Sequence, residues 1–333
     1  MPARAAVTTG LADRFRRGDV REAVREALRA VVQEQQLRWN EPLGPLTTLG
    51  IGGCADWLVD ARTGHEIAGI IDAARRLGLP VTMLGGGSNV LIGDHGVRGI
   101  VVRARHGAVT ETAPGVVRAS AGVTINGLVR WMIRRGLAGL EAWAGTPGTV
   151  GGAVHGNVHF RGRLISEVVT RVGLVGENGT IVPVPRDEME FGYDRSRLQR
   201  TGEVLVWAEF GVSGGNAGDL RAEARRSLRF RKSTQPLAAP SAGCVFRNPE
   251  PDRVPPGLPD AAGALVDRAG LKGVSIGGAR VSATHANFIV AGPGASARDV
   301  RELIERCRDE VAAQYGVRLI PEIVFLGEFE EQA

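Results

Sequence analysis

The chain has 333 residues, 43% of them hydrophobic and 23% charged, which is typical of globular proteins and long enough for two or three compact units. It contains no run of about 18 apolar residues, and its first residues lack the apolar centre of a signal peptide, so we expect a cytoplasmic protein without a membrane partner. Its cysteines, Cys54, Cys244 and Cys307, lie far apart without a C-x-x-C pair, which argues against a disulfide framework and a zinc knuckle.

The net charge of +5 comes almost entirely from arginine, because Lys232 and Lys272 are the only lysines. Guanidinium groups match the geometry of phosphates, so this balance suits nucleic acid and equally a diphosphate ligand. Aromatic residues make up only 5% of the chain, and no basic stretch alternates with aromatic rings as in base-stacking surfaces. We therefore expect a small anionic ligand and no nucleic acid.

The first part of the chain predicts a helix followed by a β-α-β unit. Apolar residues at helical spacing predict an amphipathic helix over 18–37. Thr63 and Glu66 have the spacing of a capping box, and the run IAGIIDAARRL that follows predicts a helix ending at Gly78. The strands PVTML and GIVVRA come next, separated by the loop GGGSNVLIGD.

The rest of the chain predicts two further α+β units. Short β-like runs alternate with a helix over 125–135, and the glycine and polar residues at 213–219 predict a linker. A last helix over 297–314, with Ser296 as its cap, leads into the strand VRLIPEIVFLG.

Three glycine-rich passages, each at a predicted strand or helix end, are candidates for holding a phosphate. They are TTLGIGG at 47–53, LGGGSNVLI at 84–92 and GTPGTVGGAVHGN at 145–157. Without Cβ atoms, such backbones bring N–H groups close to an anion. Each passage alone is more often a plain turn, and none matches a standard nucleotide-binding motif. Together they favour one long phosphate-bearing cofactor, with these candidate ligands: Thr48, Gly50, Gly52, Gly85, Gly86, Gly87, Ser88, Asn89, Gly145, Thr146, Gly148, Thr149, Gly151 and Gly152.

Several blocks along the chain carry a resemblance to a known family. In order they are TTLGIGG, LGGGSNVLI, GTPGTVGGAVHGN, SAGCVFRNP, LVDRAGLKG, GGARVSATHANFIV and PEIVFLG. They resemble the signature blocks of the UDP-N-acetylenolpyruvoylglucosamine reductases, the flavoenzymes of peptidoglycan precursor synthesis. The compact C-terminal part resembles the shorter subtype of that family.

The resemblance implies an α+β protein with a vanillyl-alcohol-oxidase-type FAD-binding fold of two subdomains, followed by an α+β substrate domain. It implies FAD as cofactor, NADPH as co-substrate, and reduction of an enolpyruvyl ether on a UDP-sugar to a lactyl ether. The parts we expect are an N-terminal helical extension (1–39), FAD-binding subdomain 1 (40–105), FAD-binding subdomain 2 (106–215), a substrate-binding domain (219–318), and a C-terminal strand and tail (319–333).

The resemblance also assigns roles to Cys244 and Glu322. Hydride addition to the enol ether leaves negative charge beside the substrate carboxylate, and that carbon then needs a proton. The family uses a serine as donor, and Cys244 occupies its position in SAGCVFRNP; a thiol with a pKa of about 8.5 is mostly protonated at neutral pH. Glu322 occupies the family's catalytic glutamate position. Without the motifs, Cys244 would be read as core packing and Glu322 as solvated surface.

The third catalytic position departs from the family pattern. The family has Tyr-Arg-x-Ser, whereas this chain has Tyr193, Asp194, Arg195 and Ser196, so an aspartate occupies the arginine position. We expect Arg195 to face the substrate carboxylate, with Arg197 as its rival. The alternative is that Arg195 is a surface residue paired with Asp194.

The resemblance places Tyr193, Lys232 and Asn248 on the side of the UDP-sugar. An ammonium group suits a diphosphate as a point charge, and an amide both donates and accepts hydrogen bonds. The histidines of AVHGNVH and THANF have no convincing ligand set around them, so we expect no metal site. Two alternatives stay open: an FAD-dependent sugar or alcohol oxidase of the same fold, and a nucleotide- or nucleic-acid-binding module without turnover.

Overall fold

The structure is a computed structural model that describes residues 18–176 and 179–330. It begins with helix α1 (Gly18–Arg29) and strand β1 (Leu37–Pro42), so the helix predicted over 18–37 is too long. The chain turns back at Glu34, whose carboxylate accepts hydrogen bonds from Arg25 and Arg29 on α1. Leu37 then pairs with a neighbouring strand, and this tertiary pairing overrides the helical pattern of the sequence.

The first unit is built around a four-stranded sheet. It continues with β2 (Cys54–Ala61), α2 (Gly64–Leu77), β3 (Val81–Leu84), β4 (Val90–Ile92) and β5 (Val97–Ala104). The sheet order is β1-β2-β5-β3, with β2 and β3 both parallel to β5. As predicted, Thr63 caps α2, because its Oγ1 accepts from Glu66 N–H at 3.0 Å, and Gly78 ends the helix with a φ of 66°.

The second unit is built around a five-stranded antiparallel sheet of order β12-β11-β13-β7-β6. Its elements are β6 (Val109–Ala113), β7 (Val116–Ser120), α3 (Ile125–Arg134), β8 (Leu137–Ala138), α4 (Val150–His155), β9 (His159–Phe160), β10 (Arg163–Leu164), β11 (Val169–Val175), β12 (Ile181–Pro185), α5 (Leu198–Thr201), β13 (Val204–Gly211) and β14 (Ser213–Gly214). The linker predicted over 213–219 is wrong in part: β14 pairs with β8, and Asn216 already caps the next helix.

The third unit follows helix α6 (Ala217–Thr234). Its elements are α7 (Ala262–Arg268), β15 (Ser275–Ile276), β16 (Ala279–Val281), β17 (Ile289–Ala291), α8 (Ala297–Tyr315) and β18 (Val324–Leu326). The predicted cap of α8 is confirmed, because Ser296 Oγ accepts from Asp299 N–H at 3.0 Å. The last strand is shorter than predicted, and it pairs in parallel with β4 of the first unit.

The buried apolar side chains form separate clusters that follow the units. One lies within residues 117–224, a second combines residues 242–323 with Leu49 and Leu91, and two more lie mainly in the first unit. Leu220 and Ala224 attach α6 to the core of the second unit. The division of the chain at the residues given above stays a prediction. Within residues 18–176 and 179–330, no helix is long and apolar enough to cross a membrane.

Candidate active site

The three glycine-rich passages meet at one place. A Cβ added to Gly86 would lie 2.6 Å from the Cα of Gly148, and one added to Gly87 would lie 2.2 Å from the carbonyl oxygen of Leu46. Thr48 N–H donates to the Gly87 carbonyl at 2.9 Å. Position 86 therefore requires glycine because two backbones touch, and position 87 requires it also because its φ is 63°.

The loop between β3 and β4 presents unpaired backbone donors beside this contact. Among the described residues, the N–H groups of Gly86, Gly87 and Ser88 donate to no carbonyl or side chain. A Cβ added to Gly148 would lie 2.7 Å from Ser88 Oγ, so the third passage borders the same donors. Successive free N–H groups in a glycine turn form a concavity that accepts an anion. This loop therefore fits the phosphates of a dinucleotide cofactor.

Other residues that were predicted to bind the cofactor form hydrogen bonds or packing contacts within the protein. Thr149 caps α4 through Gly152 N–H at 3.4 Å, and Gly145 N–H donates to Asn126 Oδ1 at 2.6 Å. A Cβ on Gly151 would lie 3.2 Å from Ala121. These residues shape the third passage through packing and hydrogen bonds within the protein.

The first passage is fixed in a similar way. Gly50 is exposed with a φ of 78°, and its N–H donates to Thr47 Oγ1 at 3.0 Å. A Cβ on Gly52 would lie 2.7 Å from the Cβ of Ile92. A Cβ on Gly85 would lie 2.9 Å from Thr149 Oγ1, which again brings the second and third passages into contact.

The segments that carry Cys244 and Glu322 lie beside these loops. Thr48 Oγ1 donates to the Ser241 carbonyl at 2.7 Å, and Ser241 N–H donates back to the Thr48 carbonyl at 3.1 Å. Glu322 N–H donates to the Val245 carbonyl at 2.7 Å. Asn89 Nδ2 donates to the Glu322 carbonyl at 3.3 Å, and this hydrogen bond joins the glycine loop to the C-terminal segment.

Burial controls the protonation of both candidate catalytic groups. It raises the pKa of Cys244 to about 12, with further contributions from the negative charges of Glu322 and Asp194 and an opposing one from Arg231. Burial also raises the pKa of Glu322 to about 8; Asp194 raises it further, while His159 and Arg247 lower it. At pH 7 the thiol and this carboxyl group are both mainly protonated, so each can donate a hydrogen bond or a proton.

The placement of Arg195 does not support the role expected for it. Its side chain is exposed, and among the described residues it makes no ion pair and no side-chain hydrogen bond. Asp194 has a φ of 50° within a tight turn in which Gly192 and Arg195 exchange backbone hydrogen bonds. This turn buries Asp194 and leaves Arg195 outside. The rival Arg197 is bound to Glu203 at 2.6 Å.

Arg231 is the buried cation near Cys244, and the sequence analysis missed it. It is 6% exposed, its Nη2 donates to Thr146 Oγ1 at 2.7 Å, and its guanidinium carbon lies 3.8 Å from the ring centre of Phe160. Burial lowers its pKa to about 10, so it stays charged at neutral pH. Its neighbour Lys232 is exposed.

The substrate-side candidates lie at the margin of this cluster. Tyr193 is 45% exposed, and its ring centre lies 4.7 Å from that of His159. Asn248 is exposed, and its Oδ1 accepts from Ala262 N–H at 3.0 Å at the start of α7. His159 itself was not among the predicted site residues. Across the part of the chain that the structure describes, no group of three or more histidine, cysteine and carboxylate side chains is placed to bind a metal.

Comparison with known proteins gives matches over most of the chain. A family model described as "UDP-N-acetylenolpyruvoylglucosamine reductase, C-terminal domain" matches residues 235–326, and one described as "FAD binding domain" matches residues 55–184. UDP-N-acetylenolpyruvoylglucosamine reductase of Bacillus velezensis is 38% identical over 290 residues, which cover 86% of this chain and 93% of that protein. The enzyme of the same name from a Synechococcus strain is 39% identical and covers 87% and 93%.

A solved structure agrees with these matches. The crystal structure of UDP-N-acetylenolpyruvylglucosamine reductase from Thermus caldophilus has a TM-score of 0.72 and 31% identity, covering 86% of this chain and 97% of that one. The predicted α+β fold, with an FAD-binding part and a C-terminal domain of this family, is confirmed. The chain therefore belongs to the UDP-N-acetylenolpyruvoylglucosamine reductase family.

Proposed function

We propose that the chain reduces UDP-N-acetylglucosamine enolpyruvate to UDP-N-acetylmuramate, with FAD as cofactor and NADPH as reductant, in peptidoglycan precursor synthesis. One observation carries the proposal beyond family membership: Thr48 hydrogen-bonds both to Gly87 in the glycine loop and to Ser241 in the cysteine segment. These contacts join a phosphate-binding loop to a protonated thiol.

The residues present fit FAD. The free N–H groups of Gly86, Gly87 and Ser88 would hold its phosphates, and Gly148 would form the opposite wall. When bound, FAD supplies hydride transfer from NADPH to the terminal carbon of the enolpyruvyl group.

The chain's own residues supply the proton. Hydride addition to the terminal carbon leaves an electron pair on the carbon that bears the carboxylate. The Cys244 thiol donates its proton there, and solvent restores the thiol, so the double bond gains one hydride and one proton in total. Glu322, neutral at pH 7, donates a hydrogen bond without adding negative charge near this carbon.

The remaining assignments concern recognition of the substrate, the cellular compartment and the kinds of partner. We assign Tyr193, Lys232 and Asn248 to the UDP-sugar side, with Lys232 as a point charge for the diphosphate. The resulting enzyme is a cytoplasmic protein acting on a small molecule, without a nucleic acid or membrane partner. Its predicted cofactor ligands are those of the three glycine-rich passages.

An anaerobic titration tests this function. Protein loaded with FAD should lose its flavin absorbance on addition of NADPH and regain it on addition of the UDP-linked enolpyruvyl sugar, with one UDP-N-acetylmuramate formed per flavin. Reoxidation by dioxygen with no response to the UDP-sugar would favour an oxidase instead. Failure to take up FAD, together with salt-sensitive binding to DNA or RNA, would favour a binding module.

A further inference from the structure

The side chain of Asp194, which is buried, pairs with that of His159, which is partly buried, and the proposed chemistry assigns no role to this pair. Asp194 is 5% exposed, and its Oδ1 lies 2.8 Å from His159 Nδ1. Its other oxygen, Oδ2, is buried and has no hydrogen-bond partner within the described residues. A buried carboxylate is costly unless it is paired, so this geometry favours a charged imidazolium on the other side.

Two hydrogen bonds hold the segments that carry this pair against each other. Asn157, which is fully buried, donates through Nδ2 to the Gly192 carbonyl at 2.7 Å. Ser196 Oγ donates to the His155 carbonyl at 2.7 Å. The contact between Asp194 and His159 is therefore built into the backbone of both segments, unlike a chance pairing of mobile surface side chains.

The second nitrogen of the His159 ring faces Tyr193, on the side assigned to the UDP-sugar. Since Nδ1 is bound to Asp194, Nε2 is the nitrogen left for a ligand, and it is hydrogen-bonded to the Tyr193 hydroxyl at 3.4 Å, a contact that the substrate carboxylate would replace. The backbone of Asn248, at the end of the cysteine motif, lowers the pKa of Tyr193, against the larger effect of burial. The ring thus lies between a buried anion and the side assigned to the UDP-sugar.

The surrounding charges maintain the proton on His159. The hydrogen bond to Asp194 is the largest influence and raises the pKa of the imidazole above its usual value, although burial opposes it. The charge of Asp194 raises the pKa further, Glu322 does so once it is ionised, and Arg231 lowers it. Cys244 and Tyr193 stay neutral near pH 7 because burial raises the pKa of both.

We propose that the His159 imidazolium, held by Asp194, is the cationic donor that meets the substrate carboxylate, in place of the arginine expected at position 194. The inference rests on the proposed function. Arg195 is exposed and Arg197 is bound to Glu203. Arg231 and Arg247 remain the rival cations: Arg231 Nη2 is bound to Thr146, and the Nε of each has no partner among the described residues. Negative charge that develops beside a carboxylate is stabilised by a fixed positive donor. His159 touches the substrate in this account, and Asp194 is the residue that positions it.

An NMR titration tests the pair without substrate. In wild-type protein the His159 imidazole should titrate above 6.5, and in Asp194→Asn its pKa should fall because the largest stabilising contact is lost. An unchanged His159 pKa in Asp194→Asn, or a wild-type value below 6.5, would overturn the inference. The exposed His65, titrated in the same spectra, serves as the internal control.

Separate half-reactions test the role. His159→Gln should slow reoxidation of the NADPH-reduced flavin by the UDP-sugar by about 10²- to 10³-fold, the usual effect of removing one such donor. Reduction of the flavin by NADPH should be unchanged. His159→Lys should recover part of the rate because it restores positive charge, and His65→Gln should behave as wild type.

The pH profile separates His159 from its ionisable neighbour Glu322. In wild type, the rate of flavin reoxidation should fall as pH rises through the His159 pKa. In His159→Lys this decrease should be absent, whereas the decrease near pH 8 that comes from ionisation of Glu322 should remain. A wild-type rate and profile in His159→Gln would refute the role. Failure of the proposed function would show in the wild type itself, whereas failure of this inference would show only in the variants.

Discussion

At the residue scale, the central feature is a cysteine whose environment keeps it protonated. Reactive cysteines that act as nucleophiles have depressed pKa values beside cations or helix N-termini. Burial and the nearby negative charges raise the pKa of Cys244 to about 12, and Arg231 only partly offsets them. Such a thiol is a poor nucleophile and retains a proton that it can donate to a strongly basic carbon.

Alkylation therefore distinguishes Cys244 from an ordinary thiol. With a pKa of about 12, only about one part in 10⁵ of Cys244 is thiolate at pH 7, so iodoacetamide should leave it unmodified in the folded protein. After unfolding in urea, mass spectrometry should find all of the three cysteines modified. Rapid modification of Cys244 in the native state would contradict the protonated thiol.

Glu322 gives a pH dependence of stability. Its pKa is raised from 4.5 to about 8, so the folded protein binds this proton more tightly than the unfolded chain does. The stability that depends on this proton is lost as pH rises from about 4.5 to 8. Between pH 6 and pH 9, the melting temperature of apoprotein should therefore fall less in Glu322→Gln than in wild type. Equal falls in the two proteins would contradict the raised pKa.

Sequence reasoning located Cys244 and Glu322 from their motifs, but it identified neither the buried Arg231 nor the pair of Asp194 and His159. Arg231 had a signal: Leu220, Ala224 and Ser227 precede it at helical spacing and form the buried face of α6. Asp194 had no such signal. Its partner His159 lies 35 residues away, and their pairing depends on a turn with positive φ.

At the scale of elements, the contact between glycine loops is the feature most sensitive to substitution. Gly86→Ala places a Cβ 2.6 Å from the Gly148 backbone, which must then move. We expect a lower melting temperature and at least tenfold weaker FAD binding, about 1.4 kcal/mol. Fluorescence titration of apoprotein with FAD measures the change.

Gly107→Ala is the matched control for this variant. A Cβ at Gly107 meets nothing within 4 Å, and neither glycine has a positive φ. Gly107→Ala should bind FAD as wild type does. If Gly86→Ala also bound FAD normally, the loop contact would not shape the cofactor site.

Local signals predicted element ends well where a cap determines them, as at Thr63 and Ser296. They gave wrong ends where pairing between distant segments determines where a helix or strand begins and ends. β1 begins inside a helical pattern because it pairs with β2. Of the predicted last strand, only Val324–Leu326 forms a strand, paired with β4, while Pro321 makes an isolated bridge to Phe246. The local periodicity of a segment does not predict which distant strand it will pair with.

At the scale of the whole molecule, the site lies where separate cores meet. The glycine loops belong to the first and second units, whereas Cys244 lies within a segment packed in the third. A ligand bound there contacts all of them, so it should stabilise the folded protein as a whole. FAD at 100 times its Kd should add about 2.7 kcal/mol to the free energy of unfolding.

Thermal unfolding of apoprotein at increasing FAD concentrations checks this expectation. The melting temperature should rise with each addition, as a single cooperative transition. A second transition that stays at the apoprotein temperature would mean that FAD stabilises only part of the molecule.

The most direct test of the central claim is a single turnover with Cys244→Ala and Cys244→Ser. Both variants should accept hydride from NADPH and lose their flavin absorbance. After mixing with the UDP-linked enolpyruvyl sugar, Cys244→Ser should form product at a substantial rate, because a hydroxyl also donates a proton. Cys244→Ala should be slower by about 10²- to 10⁴-fold, the usual contribution of a general acid. Formation of UDP-N-acetylmuramate by Cys244→Ala at the wild-type rate would contradict the account.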